Sequence, residues 1–110
     1  MIYEVRYAEA AVRDLTEATD YIDHVLLNPD AADHLLDTLD RETQHLSDFP
    51  YAHAIIDDPY LKAQGIRFIS IGNYLAFYIV DEYKHIVYII RFHYGKRDWI
   101  SVLKTGYSPR

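Results

Sequence analysis

The sequence predicts an α+β fold: an N-terminal strand, an antiparallel helical hairpin, then a three-stranded antiparallel meander with the helices packed on one sheet face. Three observations predict it. Apolar residues change from alternation to helical spacing near Ala8 and return to alternation near Ile66. Asn28-Pro29 leaves room only for a tight reversal between two helical stripes. Gly72-Asn73 lies between two β-rich runs as a two-residue hairpin turn.

The first strand is 3–7, where apolar and charged residues alternate. From Ala8, the stripe Val12, Leu15, Ala18, Ile22 and Val25/Leu26 predicts a helix ending near Leu27, with Asp14, Glu17, Asp20 and Asp23 on its solvated side. Asn28 is placed to cap a second helix that has Pro29 at its first position and Asp30 in its first turn. Its stripe is Ala32, Leu35, Leu36, Leu39, Thr43 and Leu46, up to the break at Phe49-Pro50. Residues 50–65 carry Pro50, Pro59 and Gly65 and read as a loop with a helical turn near Tyr60 to Gln64.

Ile66 to Ile71, Tyr74 to Val80 and His85 to Tyr94 are the strands of the meander. Strict alternation in the last strand puts Ile86, Tyr88, Ile90, Phe92 and Tyr94 on the core face. Val87, Ile89, Arg91 and His93 then share an open face. Gly95 ends the strand, Asp98 is placed to cap a short turn or helix to Leu103, and 105–110 read as a loose tail.

At 110 residues, half apolar and a quarter charged, the chain is expected to form a single domain over 1–110. It has no cysteine, which removes disulfides, thiolate metal sites and a cysteine nucleophile. The aspartates are spread around the helices and the histidines lack ligand spacing, so neither a metal nor a cofactor is expected. No basic leader or membrane-length apolar run is present, so a soluble cytoplasmic protein with no membrane partner is expected. The net charge of −6 is unevenly divided. Residues 1–60 hold three basic and fourteen acidic residues, and residues 61–110 hold eight basic and three acidic ones. Such asymmetry points to an acidic or polyanionic partner on the basic side.

Arg91 and His93 on one strand, followed by Lys96, Arg97 and Trp99, form a group that suits a phosphodiester. Cations offset its charge, aromatics stack bases, and a histidine moves protons near neutral pH. Single-stranded RNA brings its own 2′-hydroxyl nucleophile, so cleavage needs only an acid, a base and cationic support for the transition state.

These elements, in this order, resemble the RelE/ParE superfamily of type II toxin–antitoxin toxins over about Tyr3 to Leu103. The resemblance is carried by NPDAA at 28–32, DFP at 48–50, DPYLKAQGIRFISIGNYLAFYIVDE at 58–82 and VYIIRFHYGKRDW at 87–99. It implies a small toxin neutralised by a cognate antitoxin. Two activities occur in the superfamily. RelE- and YoeB-like members cut mRNA on the ribosome without metal. Arg91-Phe92-His93-Tyr94 looks like the YoeB-type terminal motif, which implies His93 as general acid and Tyr94 as a positioning residue. Arg97 in Gly95-Lys96-Arg97 resembles the RelE-type cation that supports the transition state, and Arg67 matches a basic strand position of the nucleases. Lys96, Trp99 and Lys104 would then contact RNA, and Arg110 sits where a tail can reach rRNA. The sequence also departs from the nucleases. Leu75 follows Tyr74 where they usually carry arginine, and only Asp57 or Asp58 offers a loose match to the YoeB-type base. Successive strand residues face opposite ways, so His93 and Tyr94 meet only if the strand twists or ends between them.

ParE-like members act on DNA gyrase. Their long helical hairpin and Tyr-Leu-x-Phe-Tyr strand fit Tyr74-Leu75-Ala76-Phe77-Tyr78. A third reading is a non-toxic remnant that keeps only antitoxin binding, its basic face docking an acidic antitoxin segment. The resemblance leaves these open, with the mRNA endoribonuclease as the first reading.

Overall fold

Chain order in the computed structural model, which describes residues 2–106, follows the change of period seen in the sequence. Strand β1 (Glu4–Tyr7) leads into helix α1 (Glu9–Asp20), which widens into a π-helical turn, Tyr21–Val25. Helix α2 (Pro29–Asp48) runs back, a loop carries the one-turn helix α3 (Pro59–Ala63), and β2 (Arg67–Ile71), β3 (Tyr74–Asp81) and β4 (Ile86–Tyr94) follow. Helix α4 (Trp99–Gly106) closes the described chain. The expected loose tail at 105–110 is corrected at its start, since Thr105 and Gly106 belong to α4; its remainder, with Arg110, lies outside the described residues.

The caps follow from side-chain chemistry. Asn28 Oδ1 accepts from the Ala31 N–H at 3.2 Å, with Pro29 in the first turn where its missing donor costs nothing. Asp58 caps α3 through the Leu61 N–H at 3.1 Å, and the Asp98 carboxylate accepts from the Ser101 hydroxyl at 2.9 Å. Leu27 turns the corner between the helices with φ at 53°, a left-handed conformation that crowds its Cβ against the backbone carbonyl at a cost of about 1–2 kcal/mol.

Strand order is β1-β4-β3-β2. The meander is antiparallel, while β1 joins its edge parallel to β4, with Val5 opposite Val87. At the tight turn Gly72 takes φ at 60°. Gly95 approaches Asn73 so closely that its N–H donates to the Asn73 carbonyl at 2.8 Å and a Cβ would lie 3.1 Å from that oxygen.

Both sheet faces are covered, which corrects the expected open face. Against α1 and α2 pack Ile69, Ile71, Ala76, Tyr78, Val87, Ile89 and Phe92. On the other face Phe77 and Ile90 meet Ile56, Leu61 and Ile66 from the loop and α3, together with Leu103 and Trp99 of α4. The strict alternation expected for β4 fails because of a bulge: Tyr78 pairs with Ile89, but the preceding Phe77 pairs with Arg91, so Ile90 is an extra residue. Parity reverses there. Val87 and Ile89 share the helix side with Phe92, and Ile90 shares the far side with His93, whose ring lies 6.1 Å from that of Phe77.

The stripes are also shifted from those read in the sequence. On α1 the line facing the sheet is Ala11, Asp14, Leu15, Ala18 and Ile22, with Val12 at the surface; on α2 Leu36 is exposed. A buried tether joins the loop to the sheet: the Tyr78 hydroxyl donates to the Pro50 carbonyl at 2.9 Å, and burial pushes its pKa to about 12. Tyr78→Phe is expected to cost roughly 1–2 kcal/mol because the Pro50 carbonyl loses its donor in a dry site. Urea unfolding of the two proteins checks this.

Candidate functional site

Strand β1 ends at Tyr7 opposite Ile89, and the chain turns into α1 after the Ala8 N–H has donated to the Ile89 carbonyl. The outer edge of β4 beyond Ile89 therefore lacks a strand partner among the described residues. Asp14 of α1 fills the place. Its carboxylate accepts from the Phe92 N–H at 3.0 Å and takes the Arg91 guanidinium in a fork, from Nε at 2.7 Å and Nη2 at 3.1 Å. The Asp14 side chain is only 10 % exposed, which corrects its expected place on a solvated face.

His93 lies behind this pair. It is 2 % exposed, and its Nε2 stands 3.9 Å from Asp14 Oδ2, too far for a hydrogen bond, with no other partner among the described residues. Burial pushes its pKa down to about 4; Asp14 pulls it up by less, while Arg91 and Arg97 push it further down. At neutral pH the imidazole is therefore uncharged. A shallow pocket of about 160 Å³ opens beside it, lined by Asp14, Glu17, His93, Tyr94 and Arg97.

The remaining candidates divide between this place and others. Tyr94 points to the helix side and is exposed, its ring edge-on to Tyr74 at 5.6 Å, so the strand presents it away from His93. Lys96 and Arg97 are exposed in the turn after β4. Arg67 is drawn elsewhere: its Nη1 donates to the His53 carbonyl at 2.7 Å and its guanidinium lies 5.2 Å from the centre of the Tyr51 ring. The Lys104 ammonium binds Asp58 Oδ1 at 2.9 Å. That contact and then the Leu61 N–H hold the Asp58 carboxyl below the usual carboxylate range, so this loose candidate for a base is an ionised cap. Asp57 is exposed in the same loop. Trp99 packs on Phe77 at 5.1 Å, anchoring α4. The structure thus gathers Arg91, His93 and Arg97, with Tyr94 on the pocket rim, and leaves Arg67, Trp99 and Lys104 in other contacts.

Asp14 is the residue sequence reasoning missed. It falls three residues after the buried Ala11 and four before Ala18, on the apolar line of its helix. A carboxylate in that line is the signal that it needed a buried partner.

The sequence profile of the ParE toxin of type II toxin–antitoxin systems, parDE, matches residues 5–99. The chain belongs to the ParE toxin family. It is thus a type II toxin–antitoxin toxin, and the RelE/ParE resemblance and fold class read from the sequence are borne out. Two solved structures share the fold of this ParE-family toxin. The chromosomal ParDE toxin–antitoxin system of P. aeruginosa superposes with a TM-score of 0.66 at 18 % identity, covering 84 % of this chain and 96 % of that one. The toxin–antitoxin complex RelBE2 of Mycobacterium tuberculosis gives 0.59 at 21 % identity, covering 86 % and 99 %. No curated protein sequence matches the chain. Among the described residues no helix is long and apolar enough to cross a membrane.

Proposed function

We propose that this ParE-family toxin is held inactive by a cognate antitoxin and acts by binding DNA gyrase rather than by cutting mRNA. The observation that carries this reading is the state of His93. A general acid has to reach the leaving oxygen and hold a proton near the working pH. His93 is buried on the sheet face that carries Phe77, with Asp14 at its edge, and with a pKa of about 4 its imidazole is uncharged at neutral pH. Arg91, the cation beside it, is already committed to Asp14. The net charge of −6 also disfavours close approach to ribosomal RNA. An antitoxin partner is supported by the toxin–antitoxin complexes that share the fold.

The ribosome-dependent endoribonuclease is the second reading. It rests on His93, Tyr94 and Arg97 lining one pocket. On that reading Arg97 supports the phosphorane, and Lys96, Trp99 and Lys104 would have to contact RNA from their separate places.

Induction of the chain from a tight promoter, followed by transcript mapping and a supercoiling assay with purified gyrase, separates the readings. The expected result is growth arrest with intact transcripts and loss of supercoiling activity at a toxin-to-gyrase ratio near one. Cuts inside translated codons that vanish in His93→Ala would establish the endoribonuclease instead. Normal growth with unaffected gyrase would leave the non-toxic, antitoxin-binding remnant.

A further inference from the structure

At the tip of the helical hairpin an apolar groove of about 660 Å³ runs between the π-helical turn and the far end of the sheet. Tyr21, Ile22, Leu26 and Ala31 form one wall, Tyr74 and Tyr94 the other. Tyr21 is 50 % exposed and Leu26 56 %, and Val25 and Leu27 beside them are more exposed still. Four large apolar side chains gathered on one turn exceed what an isolated surface residue explains and mark a contact surface.

The charge around the groove says what kind of partner fits. Residues 17–37 contain six carboxylates (Glu17, Asp20, Asp23, Asp30, Asp33 and Asp37) and no lysine or arginine. Glu17 stands at the groove's end, sharing Tyr74 and Tyr94 with it through the neighbouring pocket that also holds Arg97. Arg41 lies on the other flank, near Asn73. Lys96, next in the chain to the Gly95 that bonds Asn73, adds a third cation on the sheet side, whereas the lysine- and arginine-free stretch 17–37 makes the hairpin side acidic. Nucleic acid would be repelled, and a second copy of the chain would bring six carboxylates against six. A protein segment with apolar anchors flanked by lysines or arginines meets both the groove and its rim.

We propose that this groove is where the toxin grips its target protein, by taking an apolar segment with basic flanks. The proposal rests on the reading that the toxin acts by binding gyrase. Acid around an apolar centre gives such a contact its direction: long-range attraction steers the segment in, and Leu26 and the three tyrosines hold it once water is expelled.

Two measurements test it separately from that reading. In the first, purified gyrase is immobilised and binding is measured for the wild-type chain, Tyr21→Lys, Leu26→Lys and, as control, Tyr83→Lys at a 99 % exposed position outside the groove. At least tenfold weaker binding by the two groove variants is expected, with Tyr83→Lys and all thermal midpoints unchanged. In the second, an amphipathic peptide of leucine and lysine is titrated into labelled protein and amide shifts are followed by NMR. The shifts should cluster at Tyr21, Leu26, Asn73 and Tyr94, weaken as salt is raised, and vanish when glutamate replaces lysine in the peptide. Wild-type binding to gyrase with groove variants equal to it overturns the groove proposal and leaves the gyrase reading standing. No binding to gyrase, with peptide shifts confined to the groove, overturns the gyrase reading and keeps the groove. Shifts scattered elsewhere, or a wild-type dimer that Leu26→Lys dissociates, overturn the groove proposal.

Discussion

Asp14→Ala should be the most damaging single substitution on the helical hairpin, lowering stability by roughly 3–5 kcal/mol, as breaking a buried ion pair does. The change removes the buried acceptor of two donors at once: the Arg91 guanidinium, held at 2.7 and 3.1 Å, and the Phe92 N–H at 3.0 Å. Neither regains bulk water easily, because α1 still covers that edge of the sheet. For a domain of this size the loss corresponds to a fall in Tm of about 12–25 °C. Asp14→Asn keeps an acceptor for Phe92 while giving up the charge, and should fall between the two. Adding Arg91→Met to Asp14→Ala removes the cation that has lost its buried carboxylate, so the double variant should be more stable than Asp14→Ala alone. Circular dichroism melts of the four proteins decide the matter. An Asp14→Ala protein that melts within 3 °C of wild type, roughly the shift of half a kcal/mol, would mean that the edge of β4 is satisfied by something other than this carboxylate.

The same pair shows how far the sequence could be read. Changes of hydrophobic period located every major element, and short polar residues beside prolines located the starts of α2 and α3, because those signals act over three or four neighbouring residues. Contacts between distant elements left weaker traces. The bulge at Ile90 has no glycine or proline to announce it, yet one extra residue reverses every side chain after it. Counting by twos along 86–94 therefore placed Phe92 and His93 correctly but sent Val87 and Ile89 to the face away from the helices and Tyr88 and Ile90 to the face beneath them, the reverse of what the structure shows. On α1, Val12 outranks Ala11 on any hydrophobicity scale, but the structure buries the alanine against the sheet and leaves the valine outside.

The site suffered most from this displacement. Arg91 and His93 are adjacent chemistry-bearing residues on one strand, and a sequence shows what they are but not what faces them. Their partner is 77 residues away from Arg91 in the chain. Placing Asp14 on a solvated face left Arg91 free and His93 open, which is the arrangement an RNA-cleaving site requires. With Asp14 returned to the interface, one carboxylate closes the sheet edge and neutralises the cation, and the histidine is left as a buried neutral ring. Arg67 tells the same story on a smaller scale: a cation flanked by apolar strand residues needs a reason, and here the reason is the His53 carbonyl and the Tyr51 ring.

Acid should unfold this toxin earlier than its carboxylates alone require. An unfolded histidine binds a proton near pH 6.5, whereas His93 in the folded chain refuses one until about pH 4. Above pH 6.5 both states are neutral at this position and stability is unaffected. As pH falls below 6.5 the unfolded chain gains a proton that the folded chain lacks, so stability drops continuously and levels off near pH 4. The full gap is worth on the order of 3 kcal/mol, most of it spent above pH 4.5. Urea midpoints measured between pH 7.5 and 4.5 should therefore decline, and His93→Leu should flatten that decline while the remaining histidines contribute equally in both proteins. A direct reading comes from the His93 ring proton in NMR, which should not move between pH 8 and 5. A midpoint near 6.5 would refute the acid effect. It would also give the chain a proton-carrying imidazole at neutral pH, removing the main objection to RNA cleavage. The titration of this one ring therefore bears on stability and on the choice of target together, because both follow from how completely its burial beside Phe77 and Asp14 keeps it from water.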